Sequence, residues 1–254
     1  FLEKDLGTAI ILLLIFGILF LTSPILKSDK VKIIGLCLIL FFFGSITQLI
    51  PIKIFNMDIN NLTATENILL ATFSNTIVLS ILIFIYRKDL KEDFKKLKNN
   101  FYKCIDCGIK YWLIGLIVMM VSNIIIMTLF IQAKAGNEEG VQNLISGSGY
   151  ISLITIGILA PMIEELTFRK AFHDLIKNKW AFIIISSLVF GSLHIVFTLN
   201  SVWDFLYLVP YCSLGIAFGL MYADTDNIFT SIMMHMFHNT ASTVLSILGA
   251  MILL

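Results

Sequence analysis

Ala9-Ile-Ile-Leu-Leu-Leu-Ile-Phe-Gly-Ile-Leu-Phe20 runs without a polar side chain and without alternation. A strand of an outer-membrane barrel alternates apolar and polar residues, so this run is not one. A bilayer core about 30 Å thick takes roughly 20 apolar residues as a helix. Extended to 8–26, the run is long enough to span, and it is too long for a cleavable leader. Further runs of this kind lie at 31–50, 66–86, 109–131, 149–168, 180–199, 202–222 and 228–252. The expectation is an all-α, polytopic membrane protein with about eight transmembrane helices.

Composition points the same way. Of 254 residues, 58% are hydrophobic and 14% charged, and Phe alone supplies 21. Mean hydropathy is +0.92. A soluble domain of this size could not hide so much apolar surface, and a chain this apolar does not stay disordered. A net charge of +1 gives no basic excess for nucleic acid. Neither an internal repeat nor a low-complexity segment divides the chain, so residues 1–254 read as one domain.

Lys and Arg are unevenly placed. One side of the membrane receives Lys27, Lys30 and Lys32, eight residues from Arg87 to Lys110, and Arg169, Lys170, Lys177 and Lys179, which is 15 of the 18. By the positive-inside rule that side is cytoplasmic and both termini lie outside. The charged stretch Arg87–Lys103 reads either as an amphipathic helix on the headgroups or as a solvated loop, and the loop is favoured. The Gly-containing stretch Ala133–Gly149 reads as a mobile outer loop. Cys104 and Cys107 form a CxxC, with no second pair or His following to complete a zinc site.

The informative residues are the charged and imidazole groups within apolar spans. Glu164, Glu165, His194, His235 and His238 all fall in the second half of the chain, about 149–254. Such groups are expensive in lipid, face the bundle interior and mark functional sites. In Gly157-Ile-Leu-Ala-Pro161-Met-Ile-Glu164-Glu165-Leu-Thr-Phe-Arg169, Pro161 removes a donor and should kink the helix just before the two glutamates. Consecutive helical residues diverge by about 100°. Glu165 can therefore pair with Arg169 at i,i+4, which leaves Glu164 without a helical partner, aimed elsewhere and suited to act as a general base or acid. Phe190 and His194 share one helix face, as do His235 and Asn239. Gly215 and Gly219 form a GxxxG of the kind used for close helix packing. His238 reads as packing, His173 as a cytoplasmic surface residue, and Tyr207 and Tyr211 as candidates for lining a groove.

Glu164-Glu165-x-x-x-Arg169, Phe190-x-x-x-His194 and His235-x-x-x-Asn239, in this order on three spans, resemble the three motifs of the CPBP (Abi) membrane proteases, which include the type II CAAX prenyl endopeptidases. Ala160-Pro161 and Ser186-Ser187-Leu-Val-Phe190-Gly191 resemble the motif flanks. The resemblance implies an eight-helix intramembrane endopeptidase acting on a membrane peptide or lipidated protein. Glu164 would activate water with His194, His235 and Asn239 would stabilise the oxyanion, and Glu165, Arg169 and Phe190 would support them. No cofactor is implied; a zinc reading, with Glu164, His194 and His235 as ligands, fits the same residue types and is not favoured. An Ile-, Lys- and Asn-rich composition suggests a bacterial source, for which the resemblance implies pheromone or bacteriocin processing or self-immunity. The alternatives are a non-catalytic peptide-binding or immunity protein and a proton-coupled transporter, against which the lack of a repeat argues.

Overall fold

A computed structural model describes residues 44–130, 135–199 and 201–252, with isolated positions at 35, 38, 40 and 41. The span expected at 8–26 lies outside the described residues, as does most of 31–50. Every described element is helical. A 3₁₀ turn, Gly44–Gln48, leads into α1 (Leu49–Ile54), followed by α2 (Ala64–Asn99), α3 (Phe101–Leu129) and α4 (Gly136–Ser148). A composite segment follows: π-helical turns Leu153–Leu159, α5 (Ala160–Glu164), further π turns Glu165–Lys170 and α6 (Ala171–Leu175). Last come α7 (Lys179–Ile195), α8 (Leu208–Thr225) and α9 (Ile228–Ile252).

Among the described residues, α2, α3 and the segment Val202–Thr225 are long and apolar enough to cross a bilayer, and the bent pair Gly136–Ile151 plus Leu153–Leu175 makes a fourth. The chain is a multi-pass membrane protein. The shorter apolar helix α7 has 17 residues.

α2 begins with a capping box in which Thr63 Oγ1 accepts from Glu66 N and Thr63 N donates to Glu66 Oε2. Its 36 residues extend about 54 Å at 1.5 Å per residue, well beyond the hydrocarbon thickness. The second half of α2 holds Arg87–Asn99, which corrects the expected solvated loop. This extension is helical because it is held at several points. Lys96 Nζ lies 3.0 Å from Asp226, Lys170 Nζ 3.4 Å from Asp89, and Asn227 Nδ2 donates to Asp93 O at 2.7 Å. Lys179 and Tyr111 both reach Asp224. Lys96, Lys170 and Lys179 thus meet Asp89, Asp174, Asp224 and Asp226 at one end of the bundle.

α3 buries Cys104, Gly108, Gly115 and Ile126 on one face and exposes Leu113, Ile117, Val121 and Ile124 on another, the division expected where one side meets protein and the other lipid. α8 packs between α3 and α7. Its GxxxG does the work the spacing suggests: a Cβ on Gly215 would stand 3.1 Å from Ser187 Cβ, and one on Gly219 3.5 Å from Ile183 side-chain atoms.

Two further expectations are corrected. The stretch read as a mobile loop holds α4, a 13-residue helix with Glu138 and Glu139 in its first turn, where carboxylates suit the helix dipole. The sharp bend is not at Pro161. The chain turns by 108° between Gly136–Ile151 and Leu153–Leu175, next to Gly149 at φ +56°. Around Pro161 it stays helical and shifts between π and α registers. With no N–H on Pro161, the carbonyls of Gly157 and Ile156 lose their α- and π-register donors. α9 supplies replacements: Thr240 Oγ1 donates to Gly157 O at 3.3 Å and Asn239 Nδ2 to Ile156 O at 3.2 Å.

The start of α9 hangs on Asn227, which is buried, donates to Asp93 O and accepts from Phe229 N. Asn227→Ala orphans both groups, at about 1–3 kcal/mol. Its midpoint of thermal unfolding in detergent micelles is expected to fall clearly below that of wild type, and an unchanged midpoint would show that Asn227 does not hold the α2–α9 junction.

Candidate active site

Glu164 and Glu165 end α5 and open the following π turns, and their side chains diverge to opposite nitrogens of one imidazole. His235 Nδ1 lies 3.0 Å from Glu165 Oε1, and His235 Nε2 lies 3.5 Å from Glu164 Oε2. Glu164 has no partner on its own helix, as the spacing suggests; its partner comes from α9. Glu165 is fully buried and Glu164 has 16% of its side chain exposed.

The imidazole is fixed on its faces as well. Phe218 from α8 stacks on it at 4.4 Å and 21°, and Phe190 from α7 meets it edge-on at 5.9 Å. Phe190 is a hub. Its ring carries the Arg169 guanidinium at 5.0 Å and packs on Phe168 and on His194. Arg169, also fully buried, faces Glu165 with Nε 3.8 Å from Oε2, and its Nη1 donates to Ser186 O at 3.4 Å. The Arg169 charge is what makes a fully buried Glu165 carboxylate tolerable in this setting.

His194 stands on the far side of Phe190. Its Nδ1 lies 2.9 Å from Phe190 O. A carbonyl only accepts, so Nδ1 carries a proton. Tyr211 packs on the other side of the ring at 4.8 Å, and its hydroxyl accepts from Asn137 Nδ2 of α4. Asn239 spends one amide N–H on Ile156 O, which leaves the second available. Glu164, Glu165, Arg169, Phe190 and His235 are thus brought into one contact network, with His194 attached through Phe190 and Asn239 one helical turn beyond His235.

Other sequence readings find definite places. His238 faces away from the two glutamates, with Trp112 Nε1 3.4 Å from its Nδ1. His173 is half-buried between Phe182 and Tyr222, at 5.1 and 4.5 Å, which corrects its reading as a surface residue. Among the described residues, no group of three or more His, Cys, Asp and Glu side chains converges as a metal-holding set. Sequence reasoning missed Phe218, the platform under His235, because an apolar residue within a GxxxG reads as packing. Gln48 and Asn75, which line a cavity together with Glu164, carry no charge to mark them in the sequence.

Residues 146–241 match the family model described as type II CAAX prenyl endopeptidase Rce1-like. An uncharacterized protein of Mycoplasma capricolum is 29% identical over 87% of this chain and 68% of its own length. A candidate membrane peptidase of Bacillus subtilis, YdiL, is 29% identical over 38% of each chain. The membrane-embedded CAAX protease MroQ of Staphylococcus aureus is 26% identical over 56% of this chain and 59% of its own. The chain thus spans less than two thirds of the length of each of the last two. No solved structure matches it. The resemblance read from the three motifs holds across the segment that carries Glu164, His194, His235 and Asn239.

Removing Arg169 alone should strand a buried carboxylate. Arg169→Met is expected to lose about 3–5 kcal/mol of stability. The double variant Glu165→Met with Arg169→Met should recover much of that loss. Thermal unfolding of the three proteins in the same detergent checks this; a double variant no more stable than Arg169→Met would contradict the pairing.

Proposed function

We propose that the chain is an intramembrane endopeptidase in which Glu164 activates a water molecule for attack on a peptide bond of a membrane-associated or lipidated substrate. The observation that carries this is the sharing of His235 between Glu164 and Glu165 in a buried, aromatic-walled setting, on a segment similar to CAAX endopeptidases.

The contacts of His235 support the roles: its Nδ1 faces Glu165 Oε1 at 3.0 Å, and its Nε2 stands 3.5 Å from Glu164 Oε2. A water beside Glu164 gives it a proton as the hydroxide attacks the carbonyl carbon. The oxyanion then takes the Nε2–H of His235 and the spare N–H of Asn239. Collapse breaks the C–N bond, and Glu164 returns its proton to the leaving amine. Glu165 holds Nδ1 throughout, so that Nε2 stays aimed, and Arg169 keeps Glu165 ionised. His194 orients the attacking water.

In this reading no metal or cofactor takes part, and the whole chain forms one domain of eight spans. α7, α9 and the segments 8–26 and 31–50 would join the spans above to make that number. Both termini lie outside, and the site opens to the cytoplasm, where the basic end of the bundle lies. If the source is bacterial, the substrate is a pheromone or bacteriocin peptide, or the protein confers self-immunity.

Glu164→Gln is expected to lower proteolysis by a factor on the order of 10²–10⁴ while the protein still folds. Mass spectrometry of peptides from membranes carrying wild type or variant reads this directly: new C-termini should appear with wild type only. Identical profiles, with the variant still protective or signalling in cells, would favour the non-catalytic binding protein. Activity is expected to survive chelation of divalent metal; stoichiometric zinc lost together with activity would overturn the metal-free route.

A further inference from the structure

Glu164 forms part of the wall of a cavity of about 240 Å³. α5 gives one side of it, with Ile163 and Glu164. The first half of the chain, which matches the three motifs nowhere, gives the other side: Gly44 and Gln48 from the 3₁₀ turn, Asn75 and Val78 from α2. The turn is locked onto α2 at close range. Ser74 Oγ donates to Gly44 O at 2.6 Å, and a Cβ on Gly44 would fall 2.5 Å from Val78 Cγ2. This contact brings Gln48 and Asn75 into the lining of the same cavity as the Glu164 carboxylate.

Asn75 lies 11 residues into α2, about 16 Å from its start at 1.5 Å per residue, well inside the apolar span. A primary amide at that depth is unfavourable unless it meets a polar partner. Neither the Asn75 nor the Gln48 amide hydrogen-bonds to any described residue, and both are half-buried. Each offers two N–H donors and a carbonyl acceptor, the complement of the C=O and N–H of a peptide unit. An isoprenoid or acyl chain provides nothing for such groups, and a phosphate headgroup would call for a cation, of which the described lining has none.

We propose that Asn75, assisted by Gln48, is a positioning and selectivity element that holds the substrate's polypeptide backbone across the cavity from Glu164, so that this cavity receives extended peptide rather than a lipid chain. The inference rests on the proteolytic reading above. A lipid moiety, where a substrate carries one, then stays outside this cavity in the bilayer.

The test uses the full chain in lipid nanodiscs and a synthetic peptide spanning the bond that the membrane-peptide comparison identifies. A second set of peptides carries an N-methyl group on each backbone amide in turn. Asn75→Leu is expected to raise KM on the order of tenfold, the size of one lost hydrogen-bonding contact, and to change kcat less than twofold. One N-methyl position should raise KM for wild type and have no further effect in Asn75→Leu. Gln48→Leu should show the same pattern more weakly, and it carries the test if Asn75→Leu does not fold. An unchanged KM, or an N-methyl penalty equal in wild type and variant, would overturn the proposal. Glu164→Gln separates the two levels: if it still cleaves, or wild type cleaves no peptide, the proteolytic reading fails, whereas loss of cleavage in Glu164→Gln with an unchanged KM in Asn75→Leu removes this inference alone.

Discussion

Glu165 and Arg169 place two full charges where neither has any access to water, and much of the surrounding architecture serves to make that possible. In a low-dielectric interior an isolated ion is untenable, whereas a pair with further polar contacts can persist. Ser186 O takes one guanidinium N–H, the Phe190 face takes the cation, and His235 takes the other oxygen of Glu165. These partners come from α7 and α9, so the pair ties three separate stretches of chain to one point. The close approach of α7 and α8 at Ser187 and Gly215 sets Phe218 against His235 and completes the enclosure. Glu164, at the edge of this rigid cluster, is left partly exposed to a cavity, where a carboxylate can meet water.

A second constraint acts through the backbone. Pro161, three residues before Glu164, cannot donate, and the carbonyls it leaves open would be costly in the membrane interior. Asn239 and Thr240 meet that need, and in doing so fix the height of α9 relative to the glutamates. His235 lies on α9 one turn before Asn239, so the same two hydrogen bonds position the imidazole between the carboxylates. Asn239 thereby joins a structural duty to its proposed place at the oxyanion. The sequence reading anticipated disruption at Pro161 as a kink; the structure distributes it into π turns on either side, because side-chain donors from a neighbouring helix were at hand.

The helical class, the apolar segments and the grouping of Glu165 with Arg169 were legible because each depends on local spacing: runs of apolar residues for the bilayer, i,i+4 for the pair. The helix Ile228–Ile252 has the bounds of the apolar run at 228–252. What was not legible depended on tertiary contact. The helicity of Arg87–Asn99 follows from Asp226, Asn227 and Lys170, distant in sequence. Partnering of Glu164 by His235 joins residues 71 positions apart. His173 looked like a surface group because only its neighbours Phe172 and Asp174 were visible, whereas Phe182 and Tyr222 enclose it. The amide pair Gln48 and Asn75 was hidden for another reason: it carries no charge, and its significance appears only when Glu164 is seen across the cavity.

Cooperation between Glu164 and His235 is the centre of this picture, and a double-mutant cycle measures it most directly. The rate of appearance of the new C-terminus would be determined for wild type, Glu164→Gln, His235→Phe and the double variant. Residues that act as one unit are strongly non-additive, so the double variant is expected to be no slower than the slower single variant. Losses that multiply, each substitution lowering the rate by the same factor in either background, would show two independent groups and contradict a shared catalytic centre.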